Sequence, residues 1–160
     1  MKNVGLIGFG GIGQSILATW RERPLAGYRC AALLARPYQL SEAREQVSPE
    51  TVVTADLETF LGAGLDIVIE AAGQPAMREY AEAVLSRNCE LFVISTGALA
   101  DAGLRARLMQ KVEAGQGRLV IPVGATAGLD GLLAMQQDGL LRVTYTSTKP
   151  PHAWKGTPAE

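Results

Sequence analysis

The chain has 160 residues, which suits one domain of ordinary size with room for a respectable core. Hydrophobic residues make up 48% and charged residues 19%, the balance of a folded protein and not of a disordered one. A formal net charge of −1 offers no electrostatic case for nucleic acid or an anionic membrane surface, and no apolar run approaches the ~18 residues of a spanning helix.

The N-terminus has one lysine and a short apolar run broken by glycines, a poor signal peptide. Two cysteines, Cys30 and Cys89, fall in or beside apolar strand-like runs and read as reduced, buried thiols of a cytoplasmic protein. With one histidine and no Cys-x-x-Cys pair, a structural zinc site is not expected.

Short β-rich runs alternate with helical ones. VGLIG (4–8) reads as a buried strand, and Ile12, Ile16 and Trp20 recur behind it at helical spacing. RCAALLA (29–35) is the next strand and SEAREQV (41–47) a short helix. TVVTA (51–55) is a brief strand before DLETFLG (56–62), a helical turn that Asp56 is placed to cap. DIVIEAAG (66–73) is the most strand-like stretch. Pro75 then sits where the first turn of a helix accepts proline, ahead of a stripe of Met77, Tyr80, Ala81, Val84 and Leu85. ELFVIST (90–96) is another strand, and Leu104, Leu108 and Val112 stripe a helix starting near Asp101. RLVIPVG (118–124) closes the alternation, before a helix from Gly128 to Gln137.

Strands without in/out alternation, separated by helices, indicate a parallel sheet covered on both faces. The expected fold is α/β, a doubly wound Rossmann sheet spanning 1–126. LLRVTYTSTK (140–149) instead alternates around Val143, Tyr145 and Ser147 and suits an antiparallel strand. It reads as the first strand of a second, α+β domain occupying 127–160 and incomplete at Glu160. Such a strand without neighbours would present an unpaired edge and favour self-association.

Gly8, Gly10 and Gly13 fit G-x-G-x-x-G, directly after a strand and opening a helix. The first glycine permits the tight turn, the second lets backbone approach a pyrophosphate, and the third lets helix pack close to strand. The pyrophosphate would lie at the N-terminus of the helix, where free N–H groups and the helix dipole favour negative charge. An NAD-binding strand would carry an acid about 20 residues on. This strand ends LLARPY, with Arg36 and no acid until Glu42, which leans towards NADP or tolerance of both cofactors. EAAGQP and STGAL, after the fourth and fifth strands, lie at the carboxyl edge where open sheets bind ligands. Ala72, Gly73 and Thr96 are therefore candidate cofactor contacts. Glu70 reads equally as a polar site residue or a strand-end carboxylate. Ser95 and Thr96 read equally as hydrogen-bonding groups for a cofactor or as turn caps. No Ser/His/Asp or paired-acid arrangement is present, His152 being the single histidine.

VGLIGFGGIG, EAAGQPAMREYAEAVL, FVISTGALAD, PVGATAGLDGL and TYTSTKPPHAWKGTPAE together resemble the L-aspartate dehydrogenase family, the last being the most specific. The resemblance implies an NAD- or NADP-dependent oxidative deamination of L-aspartate to iminoaspartate, which yields oxaloacetate and ammonia or feeds NAD biosynthesis. It implies a small-molecule substrate and a homo-oligomer, with no nucleic acid or membrane partner. Matched position by position, it places the pyrophosphate turn on Gly8, Gly10, Gly11, Ile12 and Gly13. It also places a cofactor-touching backbone position on Ala125. The family's catalytic histidine would lie beyond Glu160, so no catalytic residue falls within this chain. A truncated, non-catalytic NADP(H)-binding module of the same family is the alternative reading. A different amino-acid or semialdehyde dehydrogenase fits the glycine turn but not the C-terminal motif.

Overall fold

A computed structural model describes residues 1–124, 128–137, 139–146, 148, 150, 151 and 155. Six strands, β1 (Lys2–Ile7), β2 (Tyr28–Leu34), β3 (Val52–Thr54), β4 (Ile67–Glu70), β5 (Glu90–Val93) and β6 (Arg118–Val120), form one sheet in the order β3-β2-β1-β4-β5-β6. Every pairing is parallel. The helices are α1 (Gly11–Glu22), α2 (Leu40–Glu45), α3 (Leu57–Leu61), α4 (Gln74–Ser86), α5 (Ala102–Glu113) and α6 (Leu129–Gln137). Two 3₁₀ turns, Pro37–Gln39 and Thr96–Ala100, were not anticipated from the sequence. The chain divides into two compact units, Met1–Pro122 and Val123–Glu160, and the whole sheet lies in the first.

The sheet alternates as a pleat requires. Leu6 and Leu33 face one side, where they pack with Phe9, Leu17 and Ala43 under α1 and α2. Ile7, Leu34 and Val68 face the other and bury Phe60, Met77, Leu85 and Leu108 beneath α3, α4 and α5. Phe60 and Met77 are fully buried, each side chain stabilising the fold by about 1.5–3 kcal/mol relative to exposure. The helix ends follow local chemistry. Asp56 accepts from Thr59 N at 2.8 Å and Asp101 from Leu104 N at 3.0 Å, each satisfying an amide of the first turn.

β1 lies beside both β2 and β4, pairing Ile7 with Leu34 and with Glu70. The connections reverse direction there, so a crevice opens at the carboxyl ends of β1 and β4.

In the second unit, α6 buries none of its described side chains, and Leu129, Leu133 and Met135 are exposed. The strand expected over 140–149 is not formed among its described residues, and Val143 and Tyr145 are exposed. The reason is physical: alternation prepares a segment for a sheet, but a strand exists only with a neighbour to share its hydrogen bonds. Without that strand, the expected unpaired edge has no basis in the structure. Ser147, Ala125 and His152 lie outside the described residues.

Candidate functional site

The glycine turn leaves β1 at the crevice. Gly8 has φ +108°, a conformation that L side chains rarely adopt, and a Cβ there would lie 2.7 Å from the carbonyl oxygen of Ala71. A Cβ on Gly13 would collide with the carbonyl oxygen of Gly8. Both glycines are thus required by the protein's own packing.

Gly10 and Gly11 differ. Gly10 has φ −88° and ψ −170°, open to any residue, and a Cβ on either glycine meets nothing within 4 Å. Neither packing nor backbone geometry within the protein accounts for glycine at these two positions. The space above them is a cradle that side chains would fill.

α1 begins under that cradle. Gly10 caps it without a side chain, and the first bond along the helix runs from Gln14 N to Gly10 O at 2.9 Å. The amides of Gly11, Ile12 and Gly13, in the first turn, have no carbonyl of their own helix to reach. The first turn holds no acidic residue. Free donors, the positive end of a helix dipole and room for close approach together suit a phosphate group.

From Gly10 a cleft of about 390 Å³ runs past the ends of β2 and β4, lined among others by Gly8, Arg36, Ala72, Glu79 and Tyr80. That volume lies in the usual range of small-molecule sites, about 300–1,000 Å³. Gln39 braces the glycine turn, its Nε2 donating to Phe9 O at 3.0 Å. Arg36 follows β2 in extended backbone and donates from Nη1 to the Tyr38 hydroxyl at 3.0 Å, which pushes its pKa above the ordinary value. An exposed guanidinium with an aromatic side chain at the rim suits an anionic group attached to a planar ring. Glu79, on the α4 wall, is a carboxylate in the same cleft.

Two other hollows are larger. One of about 420 Å³ lies at the amino ends of β2 and β3, below Trp20 and Tyr28, far from the first turn of α1. Its floor includes Cys30, whose thiol burial pushes up to about 11. The other, about 760 Å³, is an open apolar groove along α1, where Gly11 and the exposed Ile12 meet Ile16, Trp20 and Ile69. The first reaches no helix N-terminus, and in the second the cationic side chain, Arg23, lies at the opposite end of α1 from Gly11.

The structure therefore gathers Gly8, Gly10, Arg36 and Ala72 around one cleft, with Gly11 and Ile12 on the neighbouring face of α1 and Gly13 beneath the turn. Gly73 caps α4 at φ +107°, and Thr96 is exposed in the turn after β5. The amides of Ala72 and Gly73 point away from the cleft's contents, since both donate to Glu70 Oε1, at 2.8 and 2.9 Å. To a ligand these residues offer carbonyls and small side-chain surface only. Ser95 is likewise committed, its amide and hydroxyl both bonding Glu70. Gln39 and Tyr38 escaped sequence reasoning. A polar Tyr-Gln pair after an arginine is an ordinary loop until the glycine turn is seen to fold against it.

Comparison with known proteins agrees with this geometry. Residues 8–122 match the family described as homoserine dehydrogenase, NAD binding domain. The whole chain is 38% identical to the L-aspartate dehydrogenase of Serratia proteamaculans and covers 59% of that protein's length. Among solved structures, the aspartate dehydrogenase of Thermotoga maritima superposes with a TM-score of 0.62 at 24% identity, over 86% of this chain and 52% of the other. A biliverdin reductase from Synechocystis, solved with biliverdin and NADP+, gives a TM-score of 0.66 at 14% identity over 85% of this chain and 42% of the other. These two likenesses concern the fold alone. A motif match through both halves of the sheet, on top of the glycine cradle, decides the assignment: the chain belongs to the family of the homoserine dehydrogenase NAD-binding domain.

Proposed function

We propose that this chain binds NADP(H) or NAD(H) as the cofactor part of an L-aspartate dehydrogenase. The observation that carries the reading is the cradle over Gly10 and Gly11, two glycines that the protein's own packing does not need, set above the free amides of α1. The relatives named L-aspartate dehydrogenase, similar along the whole chain, support the substrate class.

In this reading the Gly11, Ile12 and Gly13 amides hold the pyrophosphate, and Gly8 and Gly13 keep the turn tight enough to aim them. Arg36 takes the adenosine end, with Tyr38 steadying its guanidinium, and the absence of an acid at the end of β2 favours the 2′-phosphate of NADP. Ala72, Gly73 and Thr96 wall the nicotinamide end with small side chains. The bound nicotinamide supplies the hydride acceptor for C2 of the amino acid. The chain's own residues orient the ring and keep water from it. Oxidation of L-aspartate to iminoaspartate is the reaction, and a cytoplasmic homo-oligomer the working form.

A second reading, binding without turnover, is favoured by one observation. Among the described residues, the cleft's lining contains no histidine or lysine to take a proton from the substrate ammonium.

The test is a fluorescence titration of the purified chain with NADPH and NADH, followed by aspartate-dependent reduction of NADP+ and NAD+. Enhanced nicotinamide fluorescence with aspartate-dependent turnover supports the dehydrogenase. Binding without turnover supports the second reading. Failure to bind either dinucleotide overturns both.

A further inference from the structure

Glu70 is the most deeply buried charged side chain among the described residues, 1% exposed at the carboxyl end of β4. It is held without a cation. Oε1 accepts from Ala72 N at 2.8 Å, Gly73 N at 2.9 Å and Ser95 Oγ at 2.9 Å, while Oε2 accepts from Ser95 N at 3.0 Å. A carboxylate has about four acceptor positions, and the four neutral donors match that number, three of them on Oε1 and one on Oε2. The donors belong to two separate connections, the β4–α4 loop and the turn after β5, whose Ser95 lies 25 residues from Glu70 in sequence.

The same two connections touch elsewhere. A Cβ on Gly97 would lie 2.5 Å from Gln74 Nε2, and the Ile94 amide bonds the Glu70 carbonyl at 3.1 Å. On its other side the β4–α4 loop abuts the glycine turn, through Ala71 against Gly8. Glu70 thus ties the segment facing the pyrophosphate cradle to the turn carrying Thr96.

A dinucleotide with its phosphates at α1 and one end beside Arg36 must lay its other end across β4, towards β5. That is the side Glu70 organises, and the Arg36 side is not. Buried as it is, Glu70 cannot touch a ligand. We propose that Glu70 is a positioning residue for the nicotinamide half of the dinucleotide site, acting by clasping the 71–73 loop to the Ser95–Thr96 turn. The inference rests on the dinucleotide-binding reading above.

Glu70→Gln is the sharpest probe. An amide has one acceptor oxygen and one NH₂, so whichever way it turns the NH₂ faces a donor it cannot satisfy. The measurement uses the full chain and two ligands: the tighter-binding of NADPH and NADH, and its adenosine fragment, adenosine 2′,5′-bisphosphate or ADP. The dinucleotide is expected to bind the variant about tenfold more weakly and the fragment within about twofold of wild type, since hydrogen bonds to a charged group are lost on one side of the site only. The nicotinamide fluorescence enhancement falls with it. Should Glu70→Gln fail to fold, as circular dichroism would reveal, Ser95→Ala removes one hydroxyl donor and carries the same test, with a smaller loss of dinucleotide affinity expected. Equal weakening of dinucleotide and fragment would mean a general structural role and overturn the proposal, as would unchanged affinity for both. Wild-type protein that binds the fragment but not the dinucleotide would also overturn it. Wild-type protein that binds neither ligand sinks the dinucleotide reading itself.

Discussion

The four glycines at the start of α1 separate into two kinds, and alanine substitution should tell them apart. In Gly13→Ala the new methyl meets the backbone oxygen of Gly8, which cannot swing aside as a flexible side chain would. Overpacking of this kind costs about 1–3 kcal/mol. For a unit the size of residues 1–122, each kcal/mol lowers Tm by roughly 3–5 °C, so a fall of about 3–15 °C is expected. Gly10→Ala meets nothing within 4 Å and keeps an allowed backbone. Alanine is the poorer N-cap, but it also reduces the freedom of the unfolded chain, by about 0.4–1 kcal/mol. The two effects nearly cancel, and Tm should stay within about 2 °C of wild type. Binding reverses the order of interest. The Gly10→Ala methyl occupies the approach to the α1 amides, and losing one or two charge-assisted hydrogen bonds of about 1.5–3 kcal/mol each weakens a dinucleotide by at least tenfold. Thermal unfolding by circular dichroism and nicotinamide fluorescence titration on the same preparations check both. A Gly10→Ala protein that binds as tightly as wild type, or unfolds as early as Gly13→Ala, would refute the cradle.

Arg36→Ala should weaken NADPH about tenfold while leaving NADH within about twofold, because only the former has a 2′-phosphate for the guanidinium. Paired titrations check it, and an unchanged NADPH-to-NADH ratio would remove Arg36 from the site. Asp101 has its pKa lowered, chiefly by the Leu104 amide bonding its carboxylate at the head of α5. A depressed folded-state pKa means that its contribution is present above the unfolded value, about 3.9, and is lost as pH falls through the folded value. Urea unfolding from neutral pH down to pH ~3 should therefore show a flatter acid decline for Asp101→Asn, which keeps a capping oxygen without the titration. Identical pH slopes for the two proteins would refute that account.

The sequence alone determined what depends on near neighbours. Alternating strand and helix runs specify a parallel α/β sheet, and the stripe of Met77, Tyr80, Ala81, Val84 and Leu85 sets the inward face of α4, with Tyr80 only partly buried. Asp56 marks the start of α3, and the spacing of Gly8, Gly10 and Gly13 marks a tight turn from β1 into α1. Periodicity, capping and turn chemistry act within a few residues, so they survive in the linear text. What only the tertiary structure decided lies between distant segments. Spacing treats the glycines alike, whereas the contacts of Gly8 with Ala71 and of Gly13 with Gly8 distinguish them from the unobstructed Gly10 and Gly11. Glu70 read equally as site residue or strand end until β4 and β5 paired and brought Ser95 onto its carboxylate. The alternation around Val143 and Tyr145 failed in the opposite sense: among the described residues no strand pairs with this segment, and a strand-like pattern needs such a neighbour. Register and partner choice are set by packing across the sheet, and no local run of residues contains that information.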